Sequence, residues 1–353
     1  MVKFPLISHE MPHDLHDYVL TDAQTAGEYI NDYMFVLLHR YIDDPVYKAI
    51  VDRYDGFKIM DNSCFELGAA LSNELIAQYF HIMKPDVFVL PDVLGDMEET
   101  IGRSFDFMTD YPELTEYAMA VIQGNTTPEF LECYKVFDAV PNLAMIGIPF
   151  CFNWAMNCGV SPRDHSLVRV KLLQNLESII NKDRRHHLLG TWCAEEFKEY
   201  HSYDWVYSID TSNPVAAAIE SNIYVEGEGV STKPKIKFDK FADMFVTSEL
   251  VHDIIVNVGR FRRIAKRPIK GIKILKEDKI NPVHYRAADS IQVIDVIEHW
   301  DLDFKRGNVV KYVLRAGQKA EEGYKDIAKE IEDLTKAKWY LERTINNLNK
   351  MVK

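Results

Sequence analysis

Across the first 220 residues, short apolar runs alternate with stretches whose apolar residues recur at three- and four-residue steps. That alternation is the signature of strands separated by crossover helices. The runs that read as strands are Asp17–Leu20, Tyr33–His39, Phe57–Asp61, Val87–Asp92, Ala118–Gly124, Leu143–Phe150, His186–Thr191 and Asp204–Asp210. Between them lie helical patterns such as ELIAQYFHIMK, TPEFLECYKVFDA and LVRVKLLQNLESIINK. Eight strands with intervening helices predict a (β/α)8 TIM-like barrel, an α/β fold. An open doubly wound sheet fits less well, because no Gly-rich phosphate loop follows the first strand.

The pattern changes after the barrel. Glu226–Asp239 is polar and bears Gly and Pro, so it reads as a loop, and Leu250–Ala265 reads as a helix closing the first domain. KRPIKGIKILKED (266–278) reads as a linker. Beyond it only helical patterns occur, ending in a stretch from about Lys325 to Met351 where Ile327, Ile331, Leu334, Leu341, Ile345 and Leu348 share a stripe interrupted by Lys338. The expected organisation is a barrel over 1–265, a linker over 266–278 and a small all-α domain over 279–353.

Composition limits the function classes. No apolar run reaches the roughly 18 residues of a membrane span, and MVKFPLISHEMPHDLHDY does not read as a signal peptide. Five cysteines without a CxxC pair argue against a disulfide framework or a standard zinc site, so a cytoplasmic setting is expected. Residues 264–353 carry 19 Lys+Arg against 14 Asp+Glu, whereas residues 1–263 carry 22 against 40. An acidic body is a poor wrapper for a long polyanion, which favours a small substrate or a locally contacted nucleic acid. His9, His13 and His16 read as surface histidines with no metal role.

In a barrel of this kind the site lies where strands end. Asp61 (KIMD), Asp92 (FVLPD), Gln123 (AVIQG) and Asp210 (YSID) all stand there. Each residue type also serves structure: Asp61 and Asp210 as helix N-caps, Asp92 as a turn residue, Gln123 as a hydrogen-bonded neighbour. Together, three carboxylates and an amide on one rim exceed what capping requires and point to acyl or glycosyl chemistry. Clustered carboxylates push each other's pKa values apart, so one stays ionised while another keeps a proton.

The same residues carry a resemblance. IMDNSCF resembles the DSGGF segment of tRNA-guanine transglycosylases, LPDVLGDMEETI their aspartate segment after the fourth strand, and VIQG their VQGG. HHLLGTW followed by DWVYSIDTSNPVAAAI is similar to their HLLG…FD-x-x-x-P region. The resemblance covers about residues 55–220 and lies closer to phage and bacterial enzymes that place 7-deazaguanines in DNA than to the tRNA enzymes. It implies that Asp210 is the nucleophile on the sugar C1′ and Asp61 the general acid/base. It further implies that Asp92 and Gln123 read the purine edge, with Ser63 and Gly124 beside the base and Phe65 stacked on it. The substrate would be guanine in DNA or in a guanine nucleotide, exchanged for a 7-deazaguanine base.

The departures shape that expectation. The family's CxCxxC…H zinc site is missing, since Cys133, Cys151, Cys158 and Cys193 lack its spacing. No zinc is therefore expected, and tRNA is not the expected substrate. Ser63 and Cys64 stand where the family has glycines, and Gly124-Asn125 replaces its glycine pair.

The tail, NPVHYRAADSIQVIDVIEHW onward, resembles a small phage helical family that includes a nucleotide kinase without a P-loop. Lys311 and Arg315 are four apart and share a helix face, with Lys319 a turn further on, a geometry that can clamp a phosphate. His284, Tyr285 and Asn308 could complete a nucleotide pocket, and Glu298 or Asp333 could hold Mg²⁺. The bland alternative is a solvated basic helix paired with EIEDLTKAK. Three functions follow as expectations: a base-exchanging transglycosylase, a nucleotide phosphotransferase or hydrolase led by the tail, and a protein that sequesters a modified base or nucleotide.

Overall fold

A computed structural model describes residues 5–16, 31–150, 167–191, 194–230, 234–244, 246–265, 293–316, 320–321, 324–325 and 327–351. The chain divides into two compact units, Met1–Ile272 and Lys273–Lys353.

The first unit is an eight-stranded, all-parallel barrel: β1 (Leu6–His9), β2 (Met34–Leu37), β3 (Lys58–Asp61), β4 (Val87–Val89), β5 (Ala118–Val121), β6 (Met145–Ile148), β7 (Arg185–Leu188) and β8 (Val206–Thr211). The spatial order is β1-β8-β7-β6-β5-β4-β3-β2. Helices alternate with the strands: α1 (Leu38–Asp43), α2 (Pro45–Arg53), α3 (Cys64–Leu67), α4 (Asn73–Met83), α5 (Met97–Asp110), α6 (Thr127–Asp138), α7 (Val168–Leu176), α8 (Asn213–Ile219), α9 (Phe238–Phe241) and α10 (Ser248–Ile264). Strands such as AMAV, VFV and MIGI are buried along their whole length. A parallel barrel strand is covered by helices on one face and by the packed interior on the other, which is why these runs read as continuously apolar.

The first strand departs from the expectation. It is Leu6–His9, paired in parallel with β8 so that Ser8 lies opposite Asp210; Asp17–Leu20 falls outside the described residues. Because the N-terminal segment belongs to the barrel, His9, His13 and His16 are buried rather than at the surface. Burial, reinforced by Arg262, pushes the His9 imidazole down to about 3. The seam between β1 and β2 is bridged partly through side chains: Ile7 N–H donates to Asp32 Oδ2 (2.9 Å) and Phe35 N–H to Ser8 Oγ (3.1 Å). From α10, the buried Arg262 grips both Asp32 oxygens at 3.0 Å. No described helix is long and apolar enough to cross a membrane.

The second unit contains α11 (Val293–His299), α12 (Phe304–Arg315) and α13 (Ile327–Met351), with a two-residue antiparallel pair, β9 (Ala320–Glu321) and β10 (Tyr324–Lys325), before the last helix. Tyr312 of α12 stacks on Tyr340 of α13, with ring centroids 6.0 Å apart.

Candidate active site

Asp61, Asp92, Gln123 and Asp210 all sit at or just beyond the C-terminal ends of strands, and all four are buried. None caps a helix. The helix after β8 starts at Asn213, and its N-cap is Ser212, without a side-chain bond. Asp210 turns inward instead: its Oδ1 accepts from Gly190 N–H at 2.9 Å and lies 3.1 Å from His187 Nε2. The other nitrogen of that imidazole, Nδ1, is 2.9 Å from Ser208 Oγ. When Nε2 carries the hydrogen for Asp210, Nδ1 accepts from the Ser208 hydroxyl, so both ring atoms are satisfied in the neutral form. Phe35 stacks flat on the ring, with centroids 5.4 Å apart.

His186 and His187 show how a strand of period two separates two roles. His186 points the other way, 3.1 Å from the Tyr134 hydroxyl and edge-on to Trp205, and burial pushes it down to about 4. Only His187 faces the carboxylate.

Gly190 is placed by necessity. Its φ is +62°, in the left-handed region that side chains disfavour, and its carbonyl accepts from Arg169 at 2.6 Å. Arg169, fully buried on α7, also donates to Leu189 O (2.7 Å) and pairs with Glu196 (2.8 Å), so one guanidinium ties down the loop that presents the Gly190 N–H.

Asp61 is held differently. Its Oδ2 accepts from Ser63 N–H at 2.7 Å, a local turn at the end of β3. Burial raises its carboxyl well above the usual carboxylate range, and the charges of Glu66, Asp92 and Asp210 raise it further. Ser63 itself adopts φ +62°, a conformation suited to glycine, and its buried hydroxyl accepts from His39 N–H at 3.1 Å.

Asp92 and Gln123 form one hydrogen-bonded unit. Gln123 Nε2 donates to Asp92 Oδ2 (2.6 Å), Asn62 Nδ2 donates to Asp92 Oδ1 (2.7 Å), and Gln123 Oε1 accepts from Gly95 N–H (3.0 Å). Burial raises the Asp92 carboxyl; the two amides partly offset that rise. Gly124 must lack a side chain, since a Cβ there would sit 2.8 Å from Glu129 Cβ and 3.2 Å from Phe130 N. Phe65, on the short helix after β3, is 75 % exposed, an unusual position for a phenyl ring beside buried carboxylates.

Burial pushes the thiols of Cys64 and Cys133 near this rim up to about 12. Among the described residues, one group of three potential metal ligands lies together, His13, Asp44 and Asp243. There the Arg40 guanidinium sits 2.9 Å from Asp44 and 3.5 Å from Asp243, and already supplies the positive charge a cation would bring.

Sequence reasoning missed His187, Gly190 and Asn62. The signal was present in HHLLG, a strand end closed by glycine, and in the Asn following Asp61.

In the helical unit, Asn308 Nδ2 donates to Phe304 O one turn back (2.6 Å) and Lys311 lies 5.4 Å from its neighbour Tyr312's ring. Glu298 is exposed on α11, whereas Asp333 is buried on α13. His284, Tyr285 and Lys319 fall outside the described residues, as does the side chain of Arg315.

Residues 279–342 match the model of a family described as a protein of unknown function, DUF3310. No curated protein matches the chain.

Proposed function

We propose that the barrel is a base-exchanging glycosyltransferase, replacing guanine by a 7-deazaguanine base in DNA or in a guanine nucleotide. The observation that carries this reading is the unequal treatment of two neighbouring carboxylates. Asp210 receives donors from Gly190 and His187. Asp61 is buried, raised and given one backbone donor. Such a pair suits a division of labour, with Asp210 as nucleophile and Asp61 as proton donor.

In the first half-reaction an Asp210 oxygen, Oδ2 because Oδ1 holds both donors, attacks C1′ as the glycosidic bond to N9 breaks. Asp61 gives its proton to the departing purine. In the second half-reaction the incoming base loses its N9-type proton to Asp61 and attacks C1′, and the Asp210 ester breaks. Atoms balance without a cofactor, and the carboxylates return to their starting states. Asp92 accepts from the N1 and N2 donors of a guanine edge, and Gln123, which offers both an acceptor and a donor, completes the match. Phe65 stacks on the base, and a base in duplex DNA reaches this rim by leaving its stack.

Intact-protein mass spectrometry after incubation with guanine-containing DNA or nucleotide and a competing 7-deazaguanine tests the proposal. A sugar adduct on wild type that is absent from Asp210→Asn supports it. Base exchange at the wild-type rate in Asp210→Asn overturns the nucleophile assignment.

A further inference from the structure

The apolar stripe on α13 belongs to no part of the chemistry above. Ile331, Leu334, Lys338, Leu341, Ile345 and Leu348 follow one another at steps of three and four without a break. In heptad terms Ile331, Lys338 and Ile345 are a positions, and Leu334, Leu341 and Leu348 are d positions. A seam confined to a and d is the narrow stripe of a coiled coil, not the broader face of a helix lying on a globular core.

The described residues of the unit leave it exposed. Among the described side chains of α13, Asp333, Ala337 and Thr344 are the buried ones, and Tyr340 stacks on Tyr312 of α12, so α12 occupies a different face. The apolar seam residues are each 46–59 % exposed. Among the described residues of this unit, only two hydrophobic side chains, Val293 and Ala337, are buried. Helices whose described side chains form so little core reach stability by association more readily than alone.

We infer that α13 pairs with α13 of a second copy of this chain as a parallel two-stranded coiled coil, each flanked by its own α12. Ile at a with Leu at d is the combination that favours two parallel strands. A two-fold arrangement then stacks Ile on Ile and Leu on Leu, which is self-complementary. Lys338 is the one charged residue in the seam, and Glu342 lies 3.8 Å from it on the same helix. Two copies bring two lysines and two glutamates to one layer, a balanced set that fixes register at some cost in stability. This inference is independent of the transglycosylase proposal.

Sedimentation velocity of the full chain over about a hundredfold range of concentration tests it. The expected result is a reversible dimer. Leu341→Lys should raise the dissociation constant by more than about a hundredfold, with the far-ultraviolet helix signal retained. Lys338→Leu, which removes the charge from the seam, should lower that constant by about tenfold or more. A monomer at every concentration overturns the inference, including a monomer whose seam is covered by the barrel of the same chain. So does a dimer whose dissociation constant neither variant changes. Should Leu341→Lys fail to fold, Lys338→Leu decides alone, and an unchanged or weaker dimer refutes the coil.

Discussion

Gly190→Ala isolates the device that holds Asp210. The residue adopts φ +62°, and a Cβ built there would meet no atom within 4 Å. The substitution therefore brings no clash, only the cost of a left-handed alanine, about 1–2 kcal/mol. For a barrel of this size that cost lowers the midpoint of thermal unfolding by roughly 2–4 °C per kcal/mol. If the loop escapes the strain by rotating, the Gly190 N–H leaves the Asp210 oxygen it now reaches at 2.9 Å. A hydrogen bond to a charged group is worth about 1.5–3 kcal/mol. At 1.36 kcal/mol per tenfold, adduct formation should slow by roughly 10- to 150-fold. Single-turnover mass spectrometry of the adduct, alongside circular-dichroism melting, reads both effects. Gly190→Asn should recover much of the lost stability, because asparagine tolerates the left-handed region better. Equal destabilisation by Ala and Asn would refute the strain argument, and a wild-type adduct rate in Gly190→Ala would refute the positioning role.

Asp61→Asn should stabilise the protein by roughly 0.5–2 kcal/mol at neutral pH while nearly abolishing exchange. The folded carboxyl is raised above its unfolded value, so wild type loses stability progressively as pH climbs from the unfolded carboxylate value to the folded one, whereas Asn does not. The advantage of Asn must therefore vanish in acid, below the unfolded carboxylate value, and denaturant midpoints that differ equally at all pH contradict it. Phe65→Ala should leave stability within about 0.5 kcal/mol, since the ring is exposed, yet weaken binding of a guanine nucleotide by roughly 1–3 kcal/mol. Unchanged affinity in a titration removes the stacking role. Glu196→Ala strands the buried Arg169 guanidinium and should cost roughly 3–5 kcal/mol in urea denaturation, whereas a loss under about 1 kcal/mol would show that the ion pair is dispensable.

The barrel was legible because its strands are buried on both faces and so leave continuous apolar runs in the sequence. The exception is instructive. LISH is as short as DYVL and less apolar, and nothing local marks it as a strand. What makes Leu6–His9 the strand is its pairing with β8 about two hundred residues away, together with Asp32 and Ser8 bridging to β2. The histidines were misplaced for the same reason: with the first strand expected at Asp17–Leu20, His9 and His13 had no core to enter. The two-residue strands Ala320–Glu321 and Tyr324–Lys325 are too short to leave any period at all.

The four polar strand ends were legible because barrel topology brings residues from distant strands to one rim. Their partners were not. A histidine inside a strand gives no sign of which face is interior, and HHLL offers two candidates. Only the stacking on Phe35 and the contact with Ser208 identify His187 as the one that meets Asp210. Sequence can therefore nominate carboxylates but cannot divide labour among them, because the division depends on how many donors each receives and how deeply each is buried. Asp210 is met by a backbone N–H and an imidazole. Asp61 has Ser63 N–H as its donor while Glu66, Asp92 and Asp210 all oppose its ionisation. The strand that runs into YSID ends in an aspartate met by His187 of β7 and by the Gly190 N–H just beyond it; the strand that ends in KIMD buries its aspartate near like charges that raise its carboxyl.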